Sequence, residues 1–220
     1  FVPKAEDDGA VAISAGGVYG TYVDLEGQIR SDSELINKYR EMAMQPECDL
    51  AIDDIVNEAI VYEEHKYPVE IVLDELKQPE SIKKKIRDEY SHVMKLLDFN
   101  NMGYDIFRRW YIDGRLYYHM IIDEKNPRLG LREVRYIDPR KIRKVRESVK
   151  KKDPTGVAQI YSKPNEYYIF SDKGFAKDGA QGLKIAADSI CYVHCGQFDK
   201  DGKVVISHLH KAIKPLNQLR

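Results

Sequence analysis

Apolar side chains recur at helical spacing in the first half of the chain, and these repeats predict amphipathic helices. A helix beginning at Ser31 is indicated because Ser31 and Glu34 have the spacing of a capping box. The clearest repeat follows Pro46, whose missing N–H costs nothing in the first turn of a helix. The apolar positions of this second helix are Ile52, Ile55, Val56, Ala59 and Ile60.

Two more helices are predicted between residues 79 and 114. Pro79 and Ser81 introduce a long helix, and the stretch 100–103 is expected to end it. The next helix carries four residues at the spacing of one helical face: Phe107, Trp110, Tyr111 and Gly114. Trp110 is the single tryptophan of the chain, and we interpret it as an anchor in the hydrophobic core.

Strands are predicted where apolar and polar residues alternate, or where a short apolar run ends in turn residues. Residues 67–73 alternate. Residues 116–122 are apolar on both faces, which indicates a central strand covered on two sides. Residues 131–137 are the expected antiparallel partner of that strand. The hairpin ends at Asp138 and Pro139, a pair that is expected to form a short capped turn.

Short strands and turns follow one another after residue 157, which predicts a β-meander. The predicted strands are 158–162, 166–171, 183–187 and 190–194. A turn is predicted at 199–202. A last amphipathic helix, from about Ser207, contains Pro215, which is expected to kink it.

These patterns predict an α+β fold, in which amphipathic helices pack on a mainly antiparallel sheet and are followed by a β-meander and an exit helix. We predict an N-terminal arm at residues 1–30, an α+β domain at 31–206 and a helix at 207–220. The arm is rich in Gly, Asp and Ala, and a strand is expected at 18–23 if a partner pairs with it. The chain begins with Phe rather than Met and ends within an amphipathic repeat, so we expect it to be part of a longer polypeptide.

The composition excludes an overall basic field, because 35 Lys and Arg residues nearly balance 36 Asp and Glu residues. Nucleic acid or an anionic membrane would therefore be attracted only by local patches.

Fifteen tyrosines favour subunit contacts, since Tyr combines a large ring with a polar hydroxyl. The three cysteines lack the spacing of a disulfide framework, which favours a reducing compartment. No apolar run approaches the ~20 residues that a membrane span needs, and no signal peptide is visible.

The chain is strongly basic from Arg140 to Lys152, and this run is its one local electrostatic feature. The residues considered as contacts to DNA or to a neighbouring subunit are Arg140, Lys141, Arg143, Lys144 and Arg146. Lysine and arginine bind phosphates, so contact with DNA is one alternative. Salt bridges to an acidic neighbouring subunit are the other. The run lacks interleaved aromatic residues and therefore does not indicate stacking on bases.

Two clusters contain the residue types of metal sites, but their spacing does not favour metal binding. Cys191 and Cys195 would point to one face of a strand and His194 to the other, so the three do not converge on zinc. Residues 199–202 resemble part of a calcium loop, yet loop position twelve is His208 instead of the bidentate Glu. We expect no metal and no other cofactor, and Cys191 and Cys195 receive no assigned role.

A metal-dependent nuclease is the enzymatic alternative. Asp123 and Glu133 lie on the predicted hairpin and loosely match the Asp…Glu-x-Lys pattern of such enzymes. The lysine position holds Arg135, which cannot lose its proton to act as a base. The sequence has no phosphate-binding glycine loop and no Gly-x-Ser-x-Gly elbow, and no catalytic residue is predicted. A nucleic-acid-binding adaptor that acts through residues 140–152 is a further alternative.

Several long segments, in the same order along the chain, resemble the portal vertex protein of T4-type contractile-tailed bacteriophages. The segments run from Glu-Leu-Ile at 34–36 to Tyr-Glu-Glu at 62–64, and include Phe-Arg-Arg-Trp-Tyr at 107–111, Tyr-Ile-Asp-Pro-Arg at 136–140 and Leu-His-Lys-Ala-Ile-Lys-Pro-Leu-Asn-Gln-Leu at 209–219. The resemblance covers residues 31–220 and is weak at 1–30 and at 153–182.

The resemblance implies a structural virion protein without enzymatic activity of its own. Portal proteins of this family form a twelve-fold ring at one capsid vertex. A terminase pumps double-stranded DNA in through the ring, and the DNA later leaves through it. The ring also nucleates head assembly and joins the head to the neck and tail. The expected partners are further copies of the chain, the major capsid protein, terminase, neck or adaptor proteins and double-stranded DNA.

Within such a subunit the chain resembles the part called the wing. Residues 207–220 would be the helix that leads toward the stem, and the residues that line the DNA tunnel are expected beyond Arg220. No DNA-binding residue is therefore carried over from the family. The expected location is the portal vertex of the virion, after assembly in the cytoplasm of the host cell.

Overall fold

Eight strands in two sheets and five α-helices make up the regular structure of the residues that the computed structural model describes. Those residues are 8–15, 20–62, 68–152, 159–161, 165–172, 174–175, 182–200, 202 and 204–219. The helices are α1 (Gly20–Ala43), α2 (Pro46–Ala59), α3 (Glu80–Leu96), α4 (Phe99–Asp113) and α5 (Ile213–Leu219). The strands are β1 (Val11–Ala15), β2 (Arg115–Ile122), β3 (Leu131–Ile137), β4 (Ile142–Lys152), β5 (Gln159–Tyr161), β6 (Asn165–Phe170), β7 (Leu183–Ala186) and β8 (Ile190–His194).

Strand β2 is the central strand of the smaller sheet, which has the order β3-β2-β8. Both neighbours are antiparallel to β2, and Tyr117 lies opposite Ile137 on one side and Tyr192 on the other. The predicted central strand and its antiparallel partner are therefore confirmed. The first half of β2 is buried, whereas Ile122 at its end is exposed. Cover on two sides is thus limited to the part of the strand nearest α4.

The larger sheet has the order β1-β4-β6-β7, and β5 also pairs with β4. Strands β4, β6 and β7 are antiparallel neighbours, as a meander requires. Strand β1 instead joins the edge of β4 in a parallel orientation. Helices that pack beside two mainly antiparallel sheets confirm the predicted α+β class.

The predicted meander is wrong for its last strand. After β7, a 3₁₀ helix at Ala187–Ser189 redirects the chain, and β8 pairs with β2 in the other sheet. Ile190 at the start of β8 is buried in an apolar cluster with Tyr117, Ile137, Ile142 and Tyr168, which come from both sheets. Burial of Ile190 between the sheets accounts for the crossing, because apolar burial is the largest favourable term available to a short strand.

Helix α1 begins earlier than predicted. Its first residue is Gly20, so Ser31 lies inside the helix and the capping-box prediction is wrong. Residues 20–23, which were expected to form a strand, are helical, and residues 18 and 19 lie outside the described residues. The polar residues of the pattern serve a tertiary contact inside the helix instead of a cap, since Asp32 is buried and accepts a hydrogen bond from Arg115 at 3.1 Å. Both β1 and the start of α1 fall within the predicted arm, whose boundary stays a prediction.

Two predictions between residues 67 and 103 are wrong in position or type. The described residues 68–73 contain no strand, because Val69 and Val72 are exposed and Ile71 instead lies beside α3. The break after α3 lies at Leu97 and Asp98 rather than at 100–103. Asp98 has a φ of 47°, in the left-handed region that Asp tolerates better than most residues. The predicted starts of α2 at Pro46 and of α3 near Pro79 are confirmed.

The helices share a second apolar cluster, which is separate from the cluster between the sheets. Its buried members are Tyr39, Ala43, Ile52, Val56, Ile112 and Leu209. Trp110 is only partly buried, and its ring contacts Phe107 and His208 at centroid distances of 5.4 and 5.2 Å. The role of core anchor predicted for Trp110 is thus taken by its helical neighbour Ile112.

The C-terminal segment begins at Ser207, as predicted. The Ser207 hydroxyl accepts a hydrogen bond from the Leu209 N–H and caps a 3₁₀ helix at His208–Ala212, which α5 continues. Pro215 is the third residue of α5, where the first helical turn tolerates a missing N–H. The change from 3₁₀ helix to α-helix lies at Ile213, two residues before Pro215, and divides the C-terminal segment there. None of the helices formed by the described residues combines the length and apolar character needed to cross a membrane.

Candidate functional site

Arg40 connects three separate elements of the fold through two carboxylates. Its Nε and Nη2 atoms donate to the two carboxylate oxygens of Asp113 at 2.9 and 2.7 Å. Its Nη1 and Nη2 atoms also donate to Asp138 at 3.1 and 3.3 Å. Asp113 is the last residue of α4 and is 1% exposed, whereas Asp138 directly follows β3. Arg40 therefore holds α1, the end of α4 and the β3–β4 turn in one arrangement.

Asp138 organises the turn that was predicted from the Asp-Pro pair. Its carboxylate accepts a hydrogen bond from the Arg140 backbone N–H at 2.9 Å and further bonds from the Arg140 guanidinium. Arg140 in turn donates to the Asn37 side chain of α1 at 3.0 Å. Burial alone would raise the pKa of the Asp138 carboxyl, but hydrogen bonds from Arg140 and Arg40 reverse this effect and lower the pKa far below its ordinary value. The carboxylate therefore stays charged to a lower pH than an ordinary aspartate does.

Two buried arginines share the carboxylate of Asp32. Arg115, 2% exposed, donates to Asp32 at 3.1 Å and to the Val205 carbonyl at 2.6 Å. Arg143, also 2% exposed, donates to the carbonyls of Pro139 and Ile142 and to the Ser33 hydroxyl. Its Nε lies 3.7 Å from Asp32. Burial lowers the pKa of Arg143. Burial would also lower the pKa of Arg115, but Asp32, Tyr117 and Tyr192 together outweigh it and raise that pKa above its ordinary value.

A third network joins Asp8, just before β1, to strands β4 and β6 of the larger sheet. The Asp8 carboxylate accepts hydrogen bonds from Lys144 at 2.6 Å and Arg146 at 2.8 Å. Glu166 on β6 binds the same two side chains, at 3.1 and 2.6 Å. Burial alone would raise the pKa of Asp8 and of Glu166, but the two cations lower both below their ordinary values. The Tyr192 hydroxyl donates to the Asp8 carbonyl at 3.0 Å, which adds a link from β8.

These networks account for most of the basic residues that the sequence indicated. Arg143, Lys144 and Arg146 bind groups of the same chain and are buried or nearly so. Arg140 and Lys141 are more accessible, with side chains 40% and 41% exposed. Lys141 also binds Asp172, at 2.9 Å. Contact of these five residues with DNA or with a neighbouring subunit stays a prediction.

The network residues that sequence reasoning missed are Asp8, Asp32, Arg40, Asp113, Arg115 and Glu166. Two of them carried a usable signal. Asp113 stands directly before Gly114, at the end of an otherwise apolar helical face, and Arg115 begins an apolar strand. A charged residue that is embedded in an apolar pattern needs a buried partner. The identity of that partner is set by the tertiary fold, so pattern alone does not give it.

The carboxylates of the nuclease alternative are occupied by local partners. Asp123 accepts hydrogen bonds from the Lys125 N–H at 2.9 Å and from Arg132 at 3.4 Å. Glu133 is bound by Arg135 at 2.8 and 3.0 Å. Arg135 stands at the position where the nuclease pattern has its lysine, so it neutralises the carboxylate that such a pattern would use for metal binding.

The residues of the zinc and calcium patterns have individual roles in the backbone around β8. The Cys195 thiol donates to the Ile206 carbonyl at 3.0 Å, His194 accepts from the Gly196 N–H, and Cys191 is exposed. The Asp199 N–H donates to the Val204 carbonyl at 3.0 Å, and Phe198 pairs with Val205, as the predicted turn requires. Among the residues with described positions, no three His, Cys, Asp or Glu side chains group in a way that could hold a metal ion.

A cleft of about 630 Å³ borders the Arg40 network and is lined by residues of α1, α2 and α4. Its lining includes Arg40, Met44, Arg108, Arg109, Asp113 and Tyr136. Arg108 binds Asp49 and also lies 3.5 Å from Asp53, and the Arg109 guanidinium lies over the Tyr136 ring at 5.0 Å. The charged groups in this cleft are thus engaged by partners of the same chain.

The described fold and networks define a structural class: an α+β module in which arginines and lysines bind carboxylates to fix helices, turns and sheets relative to one another. This arrangement positions elements and offers no free nucleophile beside a base within the described networks. The chain belongs to the bacteriophage T4-like portal protein (Gp20) family, whose model matches residues 32–220. The resemblance seen in the sequence is thereby confirmed.

Two similar proteins are portal proteins of other phages. The chain is 38% identical over 197 residues to the portal protein of Vibrio phage KVP40, and this alignment covers 85% of the chain and 38% of that relative. It is 32% identical over 225 residues to the portal protein of Salmonella phage ViI, and this alignment covers 96% of the chain and 40% of that relative. The chain thus spans about two fifths of the length of these relatives.

Proposed function

We propose that the chain is the wing of a portal subunit, a structural virion protein that assembles with copies of itself into a ring of twelve at one vertex of the capsid. The observation that carries the proposal is the family match, because it extends from residue 32 to residue 220. The two similar portal proteins, which are aligned over most of this chain, support the same role.

The geometry of the networks supports a part that must keep its shape within a ring. Arg40, Arg115 and Lys144 each link elements that are distant in the sequence. Buried ion pairs add little net stability, but the loss of one partner is costly, so they select one arrangement over others. Such selection is useful in a subunit whose neighbours must all meet it in the same geometry.

In the proposed role, a terminase pumps double-stranded DNA through the ring into the head, and the DNA later leaves by the same route. The ring nucleates head assembly with the major capsid protein and joins the head to neck and tail proteins. It forms in the host cytoplasm and stays at the portal vertex of the virion. The near balance of 35 basic and 36 acidic residues fits a ring part that does not hold DNA by an overall basic field.

The proposed division of the chain follows the same role. Residues 1–30 form an arm, residues 31–206 form the wing, and residues 207–220 lead toward the stem. The cap at Ser207 supports the boundary before residue 207, because it starts a new helical segment that ends as α5.

The mass of the assembled full-length protein tests the proposal. Mass photometry or native mass spectrometry is expected to find a closed ring of twelve copies, and negative-stain images should show rings with a central channel. A stable monomer at micromolar concentration, in buffers of low and moderate salt, would contradict the proposed role. An assembly of defined size without a channel would contradict it as well.

A further inference from the structure

The outward side of α2 forms an acidic surface with an apolar centre. Glu47, Leu50, Asp54 and Glu58 recur every three or four residues, so they lie on one side of the helix. All four are exposed, and Leu50 is 68% exposed. This set is called the acidic face below.

The three carboxylates of the acidic face differ from the other two acidic residues of α2. Asp49 and Asp53 point toward α4, where Arg108 binds Asp49 and the Tyr104 hydroxyl donates to Asp53 at 2.5 Å. In the described part of the chain, no ion pair reaches Glu47, Asp54 or Glu58. Because α2 contains no basic residue, the charge of the acidic face is not offset within the helix.

Helix α3 presents a different surface, which is apolar with basic flanks. None of its residues is buried, although its apolar side chains lie on one side and form a groove of about 480 Å³. The groove is lined by Ile71, Ile82, Lys85, Ile86, Glu89, Tyr90, Val93 and Met94. This set is called the groove face below. An apolar helix face without cover is a typical docking surface for another protein segment.

The basic residues of α3 make its groove face complementary to the acidic face. The helix contains five basic residues and three acidic ones, and Arg87 and Glu80 bind each other at 2.6 Å. Lys83, Lys84 and Lys85 take part in no ion pair among the described residues. One surface of the chain thus carries unpaired carboxylates around an exposed leucine, and another carries unpaired ammonium groups beside a mainly apolar groove, whose lining includes one carboxylate, Glu89.

We infer that the acidic face of one subunit docks on the groove face of the next copy of the chain, as the wing-to-wing contact of the proposed ring. Leu50 would enter the groove, and Asp54 and Glu58 would meet Lys83 and Lys85. The two faces are different surfaces on different helices, so the contact is heterologous. A heterologous contact repeated by rotation closes into a ring, whereas a self-complementary contact stops at a dimer. The inference rests on the proposed portal function.

A charge-swap experiment in the full-length protein tests this pairing. Variant one is Asp54→Lys with Glu58→Lys, and variant two is Lys83→Glu with Lys85→Glu. Each variant places like charges across the contact, so each is expected to lower the fraction of protein in rings by at least about tenfold in 50 mM salt. The combined variant, with all four substitutions, restores opposite charges and is expected to recover most of the rings. Mass photometry gives the fractions, and circular dichroism checks that each variant is folded.

A matched control carries the same charge change outside both faces. Glu41→Lys with Asp188→Lys alters two exposed carboxylates on α1 and on the 3₁₀ helix before β8, and it should leave the ring fraction unchanged. A second probe, Leu50→Asp, tests the apolar centre and should also abolish rings.

The outcomes separate this inference from the proposed function. If the unmodified protein forms no ring, the portal proposal itself fails. If it forms rings and both charge variants do so equally well, the two faces do not meet, and the inference is overturned while the portal role stands. Loss of rings in both variants without recovery in the combination also overturns the pairing. Normal rings that no longer bind another virion protein would assign the faces to that partner instead.

Discussion

Asp113 shows at the scale of one residue how a charge can be required inside this fold. It is almost fully buried, and Arg40 binds both of its oxygens. We predict that Asp113→Ala lowers the free energy of unfolding by about 2–4 kcal/mol, because Arg40 then keeps a partly buried charge with one partner fewer. Urea denaturation followed by circular dichroism measures the change. Glu80→Gln, which removes the exposed partner of Arg87, serves as the control and should leave the midpoint unchanged.

Asp138 should make the stability of the chain depend on pH in the acidic range. Its pKa is lowered on folding, because the arginine hydrogen bonds outweigh the effect of burial. As the pH falls below about 5, the unfolded chain takes up a proton at this carboxyl before the folded chain does, so the free energy of unfolding decreases. The contribution is fully present above the ordinary pKa of 3.8 and is lost as the pH falls toward the lower folded value.

The variant Asp138→Asn separates this contribution from those of other carboxyls. It should be less stable than the unmodified chain at pH 7, and the difference should shrink as the pH is lowered from 5 to 3. Chemical denaturation at several pH values measures both curves. Parallel curves, with a constant difference between them, would mean that Asp138 is not the titrating group.

At the scale of elements, the junction between α4 and β2 depends on Gly114. Its φ is 71°, and an added Cβ would lie 3.0 Å from the Ile206 carbonyl oxygen and from the Ser207 Cα. We predict that Gly114→Ala costs about 2–4 kcal/mol, from backbone strain and from displacement of the segment that precedes the last helices. Gly196→Ala is the control, since its φ is 77° but no atom lies within 4 Å of the added Cβ. A cost of about 1–2 kcal/mol is expected there. Equal losses at the two positions in thermal or urea unfolding would argue against a role for the close approach.

The sequence predicted elements well where local pattern and tertiary packing agree. Pro46 marked the start of α2, and the apolar run followed by a turn marked the β2–β3 hairpin. Ser31 failed as a helix start because the polar residues around it serve a tertiary contact inside the helix, in which Arg115, more than eighty positions away, binds Asp32. Residues 68–73 failed as a strand because none of the described strands pairs with their alternating pattern. Periodicity reports which face is apolar, but the partner decides whether a strand forms.

At the scale of the whole molecule, the networks could be predicted only in part. The Asp138–Pro139 turn and the basic run after it were visible in the sequence, and the basic side chains do cluster around buried carboxylates. Their partners Asp8 and Glu166 could not be chosen from pattern, because parallel pairing of β1 with β4 and the return of β6 bring them together. Asp32 could not be chosen either, because it reaches the basic residues from α1. The family could be inferred from several long sequence segments that occur in the family's order. The ion-pair networks that hold the elements together could be identified only from the folded structure.

The same networks lead to a prediction for DNA. Of the five basic residues considered as DNA contacts, only Arg140 and Lys141 have side chains about two fifths exposed, and the other three are held by carboxylates or carbonyls of the chain. At most two phosphates would therefore be neutralised by this set. In a plot of log K against log salt concentration, this set should therefore account for a slope of about −1.8 or shallower for each chain, since each phosphate contact on B-DNA contributes about −0.9. Fluorescence anisotropy with a short duplex between 25 and 200 mM salt measures the slope. Arg140→Ala with Lys141→Ala should flatten it, and Lys38→Ala with Lys211→Ala, two exposed lysines elsewhere, should change it much less. If replacing Arg143, Lys144 and Arg146 by Gln flattened the slope by about 2.7 more, those three side chains would have left their partners to bind DNA.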